Sequence, residues 1–249
     1  LVECNEICRV VLESDDQGGV DMFGNPTYRG NVYRYNYFHH VGNWHGRDEE
    51  SRFGLAGIRL DDAICGTLLY GNVFRRCATG KAGFGGVQIH GGKENIVDGN
   101  LFVDCRTAIS FSPWNEKHWL QHISDAKYAL TAPDIDKELY LARYPALAKL
   151  PDDHDVNFVW RNLVVDCGEF LRRDRGLTRL CDNLVTADKS GFADAPRGVF
   201  EIVPQAAALD RVSLVPIPFA EIGLYRDAFR KSLPTREVER IRSTGAAAR

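Results

Sequence analysis

Aspartates gather at two points early in the chain, Asp15, Asp16 and Asp21 and then Asp61 and Asp62. Cleaving a glycosidic bond takes two carboxyl groups, one protonated to assist the leaving group and one ionised to act on the anomeric carbon directly or through water. Crowding like charges raises the pKa of one of them, as an acid working at neutral pH requires. One carboxyl group from Asp15, Asp16 and Asp21 and one from Asp61 and Asp62 are the candidates for such a pair. Arg59, Gln88, His90 and Asp21 are polar residues suited to holding hydroxyl groups. Trp44 and His45, with Trp114, supply ring faces against which sugar C–H groups can stack. The competing reading of Asp15-Asp16 and Asp61-Asp62 is structural, as residues of tight turns.

What positions these residues is a repeat. Gly57, Ile58, Arg59, Leu60 and Asp61 lead to Gly71, Asn72, Val73, Phe74 and Cys77. Gly86, Val87, Gln88, Ile89 and His90 lead to Gly99, Asn100, Leu101, Phe102 and Cys105. Units of this length cannot bury an apolar face alone and must stack. Alternation inside each unit, with Ile58 and Leu60 on one side and Arg59 and Asp61 on the other, makes the units strands. Asn5, Asn36, Asn72, Asn100, Asn162 and Asn183 open the same sub-motif, each with an apolar residue two places on. Stacked amides can hydrogen-bond from unit to unit, and asparagine tolerates a left-handed bend. The expected fold is all-β, a right-handed single-stranded parallel β-helix with neighbouring rungs ~4.8 Å apart. Its outward residues should form two columns on an exposed sheet, Asp21, Arg59, Gln88, Ser110 and Phe23, Asp61, His90, Ser112. Adjacent rungs then hold carboxylates within the ~5–9.5 Å that spans retaining and inverting geometries.

Four regions follow. Residues 1–112 are rungs carrying the groove, with a lengthened loop at 42–54; residues 113–155 are a helical insertion with Trp114, Trp119 and Tyr140. Residues 156–215 resume the rungs, which restart near Val156 and Leu177. Residues 216–249 form a capping tail, read as an apolar flap over the last rung, and are disordered from Ser243 on. The chain enters in mid-rung, so the natural protein is expected to extend further towards its N-terminus, where any export signal would lie. Secretion or a periplasmic location is the expectation, as is a monomer with a carbohydrate substrate as its partner.

A net charge of -3 and a pI near 6.2 leave no basic footprint for nucleic acid, and no apolar run is long enough for a membrane span. Seven cysteines lack metal-finger spacing; Cys77, Cys105 and Cys167 share an inward position as free thiols. No metal or cofactor is expected for a hydrolase. His39, His40 and His45 make a poor zinc site, since strand neighbours point to opposite faces. Ser112 with His90 lacks the turn of a serine nucleophile.

The string from Cys4 to Gly19 that contains Asp15 and Asp16, the stretch from Gly30 to His40, and the stretch from Gly57 to Gly66 that contains Asp61 and Asp62 resemble bacterial right-handed β-helix proteins similar to glycoside hydrolase family 141. Arg143, Tyr144 and Pro145, with the tail from Ile217 to Tyr225, extend the likeness over most of the chain. The resemblance implies fucosidase- or xylanase-like action on plant cell-wall glycans through an acidic pair, Asp16 with Asp61 or else Asp62. The chain departs from that pattern at Gly19-Val20-Asp21-Met22-Phe23 and at Arg59, which stands where a tyrosine is usual, so the substrate does not carry over. Two alternatives compete. A lyase or epimerase on a uronic-acid polymer would hold Ca2+ with Asp61, Asp62 and Asp21 and face its substrate with Arg59 or Lys93. A non-catalytic carbohydrate-binding protein would bind without turnover.

Overall fold

Six asparagines carry a continuous line of amides along the chain. Asn5 Nδ2 donates to Asn36 Oδ1, Asn36 to Asn72, Asn72 to Asn100, Asn100 to Asn162 and Asn162 to Asn183, all at 2.9–3.1 Å. Each donor's backbone N–H reaches the same oxygen as its side chain. Such a ladder forms only if the asparagines stack at strand spacing, and so it sets the register. The structure, a computed structural model, describes residues 1–42, 54–78, 83–125, 136–151, 156–175, 178–203 and 213–232.

Each asparagine stands between two short strands. The first repeat comprises β1 (Val2–Glu3), β2 (Glu6–Cys8) and β3 (Gln17–Phe23); the second, β4 (Val32–Arg34), β5 (Tyr37–His39) and β6 (Leu55–Asp61). The third is β7 (Leu68–Tyr70), β8 (Val73–Arg75) and β9 (Gly85–His90), and the fourth β10 (Ile96–Asp98), β11 (Leu101–Val103) and β12 (Thr107–Ser112). The fifth is β13 (Phe158–Trp160), β14 (Leu163–Val165) and β15 (Glu169–Arg172), followed by β16 (Arg179–Cys181) and β17 (Leu184–Thr186). Every third strand pairs in parallel, giving sheets ordered β1-β4-β7-β10-β13-β16, β2-β5-β8-β11-β14-β17 and β3-β6-β9-β12-β15. The architecture is therefore all-β and built on parallel sheets. A second amide line, in which Asn157 Oδ1 accepts from Asn95 N and Asn95 Oδ1 from Thr67 N, supports another bend that the sequence reading did not find.

Inward residues of the three sheets share one core containing Ile58, Leu60, Val87, Ile89 and Ile109. Phe38, Phe74 and Phe102 stack through it with ring centroids 5.1 and 4.9 Å apart. Gly57 is required there, because a Cβ would lie 2.8 Å from the Phe74 ring and 2.6 Å from the Gly86 carbonyl. Cys77, Cys105 and Cys167 are free and point inward, as expected, and burial pushes the Cys105 thiol well up.

The insertion contains two helices. Asn115 Oδ1 caps α1 (Glu116–Ser124) and Asp136 Oδ1 caps α2 (Lys137–Arg143), each accepting a first-turn backbone N–H. Trp114, Trp119, Leu147 and Leu150 pack with Ala63 and Cys65 beside the end of β6. No helix among the described residues is long and apolar enough to cross a membrane.

The tail differs from the expected flap over the last repeat. Leu214, Ile217, Phe219 and Ile222, with Phe192 and Phe200 of the hairpin β18 (Phe192–Asp194) and β19 (Val199–Ile202), cover the outer face of the second sheet. They run as far as the first repeat, where Gly223 N donates to Cys4 O. The reason is that the residue after five of the six asparagines, Tyr37, Val73, Leu101, Leu163 or Leu184, is apolar and outward, so this face needs a lid. Among the described residues the last repeat is left uncovered, with Leu180 and Val185 half exposed. Residues 233–249, including the stretch read as disordered, and Leu177 lie outside the described residues.

Candidate functional site

On the outer face of the third sheet the expected columns form in register. Asp21 pairs with Arg59, Arg59 with Gln88 and Gln88 with Ser110; beside them Phe23 pairs with Asp61, and His90 with Ser112. Parallel pairing at this spacing aligns side chains from neighbouring repeats, so Arg59 becomes the hub of the face. Its Nη2 lies 2.9 Å from Asp16 Oδ1 and 2.9 Å from Asp61 Oδ1, and Nη1 lies 3.8 Å from Asp21 Oδ2. Its Nε donates to Gln88 Oε1 at 2.9 Å, Gln88 Nε2 donates to Ser112 Oγ at 3.1 Å, and Nη1 also donates to the Asp16 carbonyl.

Here the expectation of an exposed floor needs correction. Arg59, Gln88, Asp61 and Ser110 are buried. Arg59 spends its donors on three aspartates and a glutamine, with the Phe84 ring 5.8 Å from its guanidinium carbon, so Arg59 and Gln88 form a scaffold beneath the surface instead of a sugar-facing row. Asp61 is recessed above them. Asp16, Asp21, Asp62 and His90 are the partly exposed rim, with side chains 45, 31, 30 and 28 % accessible.

Local backbone explains why so many carboxylates converge. Asp16 has φ +57°, which turns its side chain back over Arg59 instead of along the chain. Asp62 and Ala63 have φ +40° and +68°. This bend breaks the strand alternation that would send Asp62 away from Asp61, and both Oδ1 atoms reach His90 Nδ1, at 2.8 Å from Asp61 and 3.1 Å from Asp62. Burial raises the Asp62 carboxyl above the usual range, with the Asp61 charge adding to it. Burial likewise raises Asp21, against the pull of Arg59. His122 on α1, which the sequence reading overlooked, stands near Asp62; burial lowers its pKa, and its Nε2 contacts the Gly24 carbonyl at 3.2 Å.

Several other expectations change. Trp114 is buried, stacked on His118 with centroids 4.0 Å apart and edge-on to His90, so it offers no open ring to a ligand. Lys93 is buried below Trp119, 4.2 Å from its ring, and donates to the Leu150 carbonyl at 3.0 Å, far from the role of facing substrate. His39 and His40 do not point apart: their Nδ1 atoms are 2.9 Å from each other, because His40 has φ +51°. His39 Nε2 is 3.1 Å from Glu6 Oε1, so that pair is tied into the fold. Trp44 and His45 lie outside the described residues. Asp61, Asp62 and His90 are, among the described residues, the group whose donor atoms converge closely enough to hold a metal ion.

Compared with known proteins, the chain matches no family model, no curated protein and no solved structure.

Proposed function

We propose that the three sheets close into a right-handed single-stranded parallel β-helix and that the chain is a glycoside hydrolase acting on a neutral, plant cell-wall type glycan. This is the activity implied by its resemblance to glycoside hydrolase family 141. The observation that carries the reading is the gathering of Asp16, Asp21 and Asp61, from two adjacent repeats, around the Arg59 guanidinium. Asp21, raised by burial and reachable from solvent, is suited to give its proton to the glycosidic oxygen. Asp61, recessed against Arg59, acts on the anomeric carbon directly or by taking a proton from water. Asp16 holds Arg59 in place.

Charge speaks for a neutral polymer over a uronate. Three aspartates surround one guanidinium whose donors are already engaged, and Lys93 is buried elsewhere. A lyase or epimerase needs a cation to neutralise the substrate carboxylate; neither Arg59 nor Lys93, the side chains that reading would use, is available for it, so it would depend on a bound metal ion. A polymer substrate of this kind implies export to the periplasm or beyond.

The test is product analysis on a panel of neutral and acidic glycans, reading reducing ends and unsaturated uronate together. Reducing ends without unsaturation support the hydrolase. Unsaturated product would move the reading to a lyase, and glycan binding without any product would leave a non-catalytic carbohydrate-binding protein.

A further inference from the structure

Asp62 and His90 are not needed for the hydrolytic step, yet they stand on the same face in an arrangement suited to another ligand. His90 Nδ1 is 2.8 Å from Asp61 Oδ1 and 3.1 Å from Asp62 Oδ1, and the donor atoms of all three residues lie within 4.8 Å of one another. Atoms sharing an ion at about 2.1 Å stand ~3.0 Å apart at right angles and ~3.4 Å apart in a tetrahedron. The His90 contacts have the lengths of such edges. A neutral imidazole also has only one proton on Nδ1 to offer two carboxylates.

The surroundings favour a cation. Asp16, Asp21 and Asp61 bring three carboxylates against the single guanidinium of Arg59, and Asp62 adds a fourth beside His90. Asp62 and His90 are about a third exposed, so an ion has a way in while Asp61 closes the inner side. Arg59 Nη2, 2.9 Å from Asp61 Oδ1, fixes the orientation of that carboxylate, and Trp114 packs edge-on against the imidazole with centroids 5.5 Å apart. A fixed outer shell of this type raises the affinity of a metal site.

We infer that Asp61, Asp62 and His90 form a binding site for a divalent first-row transition cation such as Mn2+ or Zn2+. The imidazole nitrogen sets its selectivity, since Ca2+ is bound by oxygen ligands. It differs from the calcium set of Asp61, Asp62 and Asp21 considered for a lyase, because the donor atom that converges with those of Asp61 and Asp62 is on His90.

The experiment is a titration of the full chain with Mn2+ alone, following free Mn2+ by electron paramagnetic resonance. Mn2+ is chosen because it avoids the free thiols that Zn2+ would also bind. One equivalent is expected to bind at submillimolar concentration. Asp62→Asn and His90→Gln, each checked for an intact fold by circular dichroism, are expected to weaken binding at least ~10-fold. Equimolar Ca2+ is expected not to displace the ion. No bound Mn2+, binding unchanged in both variants, or equal displacement by Ca2+ would each overturn the inference. An ion on Asp61 would occupy the carboxylate that the hydrolytic step uses, so the metal-free chain is the form that cleaves glycan; the readout is binding to unreacted protein and stands or falls separately from turnover.

Discussion

Asn72→Ala removes one link from the amide line, and the structure sets the size of the effect. Asn72 is fully buried. Its Oδ1 accepts from both the backbone N–H and the side-chain Nδ2 of Asn36, and its Nδ2 donates to Asn100 Oδ1 and to the Tyr33 carbonyl. After truncation, Asn36 Nδ2 keeps Val2 O and Arg34 O, and Asn100 Oδ1 keeps Asn72 N. The group hit hardest is the Asn36 N–H, since the partly buried Tyr33 carbonyl keeps its place in the β4–β7 ladder. Stranding a buried polar group costs about 1–3 kcal/mol, so the variant is expected to lose roughly 1–3 kcal/mol, a sizeable part of the ~5–15 kcal/mol by which domains are stable. Asn183→Ala is the internal control. Asn183 ends the line and is partly exposed, so water can replace much of what its amide supplies to Asn162. Urea unfolding followed by circular dichroism measures both. A loss below ~1 kcal/mol for Asn72→Ala, or one no larger than for Asn183→Ala, would refute the argument that the amide line holds the repeats in register.

Two further predictions concern the acidic face. Because burial raises Asp21, its charged form opposes folding at neutral pH, and this penalty is absent below the unfolded-state carboxylate pKa, where Asp21 is protonated in both states. Asp21→Asn is therefore expected to melt higher than the parent at pH 7, with the difference shrinking as the pH falls below ~4; thermal melts at several pH values check this. Arg59→Met leaves the recessed Asp61 without its guanidinium, an expected loss of about 3 kcal/mol. In urea unfolding, the double variant with Asp61→Asn should cost less than the sum of the two single changes.

The repeat was legible because asparagine types, spacing and inward apolar residues all answer to one constraint, stacking at strand distance. The same constraint made the pairing of Asp21 with Arg59 and Arg59 with Gln88 readable in advance. What could not be read was depth. Alternation says that Gln88 points out of the core, but not that Arg59 and Ser112 would engage it below the surface. Nor does local sequence say that residues from 113 on would fold back and bury Trp114. Positive φ values at Asp16, His40 and Asp62 were equally hidden, since each reverses the side-chain direction that strand alternation predicts. One signal was present and missed. The apolar residue after five of the six asparagines, as in Tyr37, Val73 and Leu101, marks an outer face that needs a cover, and it points to the tail as that cover.

The central claim, that Asp61 acts on a sugar, is tested most directly by comparing the parent and Asp61→Asn on whichever neutral glycan the parent cleaves fastest. The readout is reducing ends per unit time, with folding of the variant verified by circular dichroism. The account predicts a fall in rate of at least ~100-fold in a protein that still folds. Cleavage by the folded Asp61→Asn variant at the parent rate would contradict it.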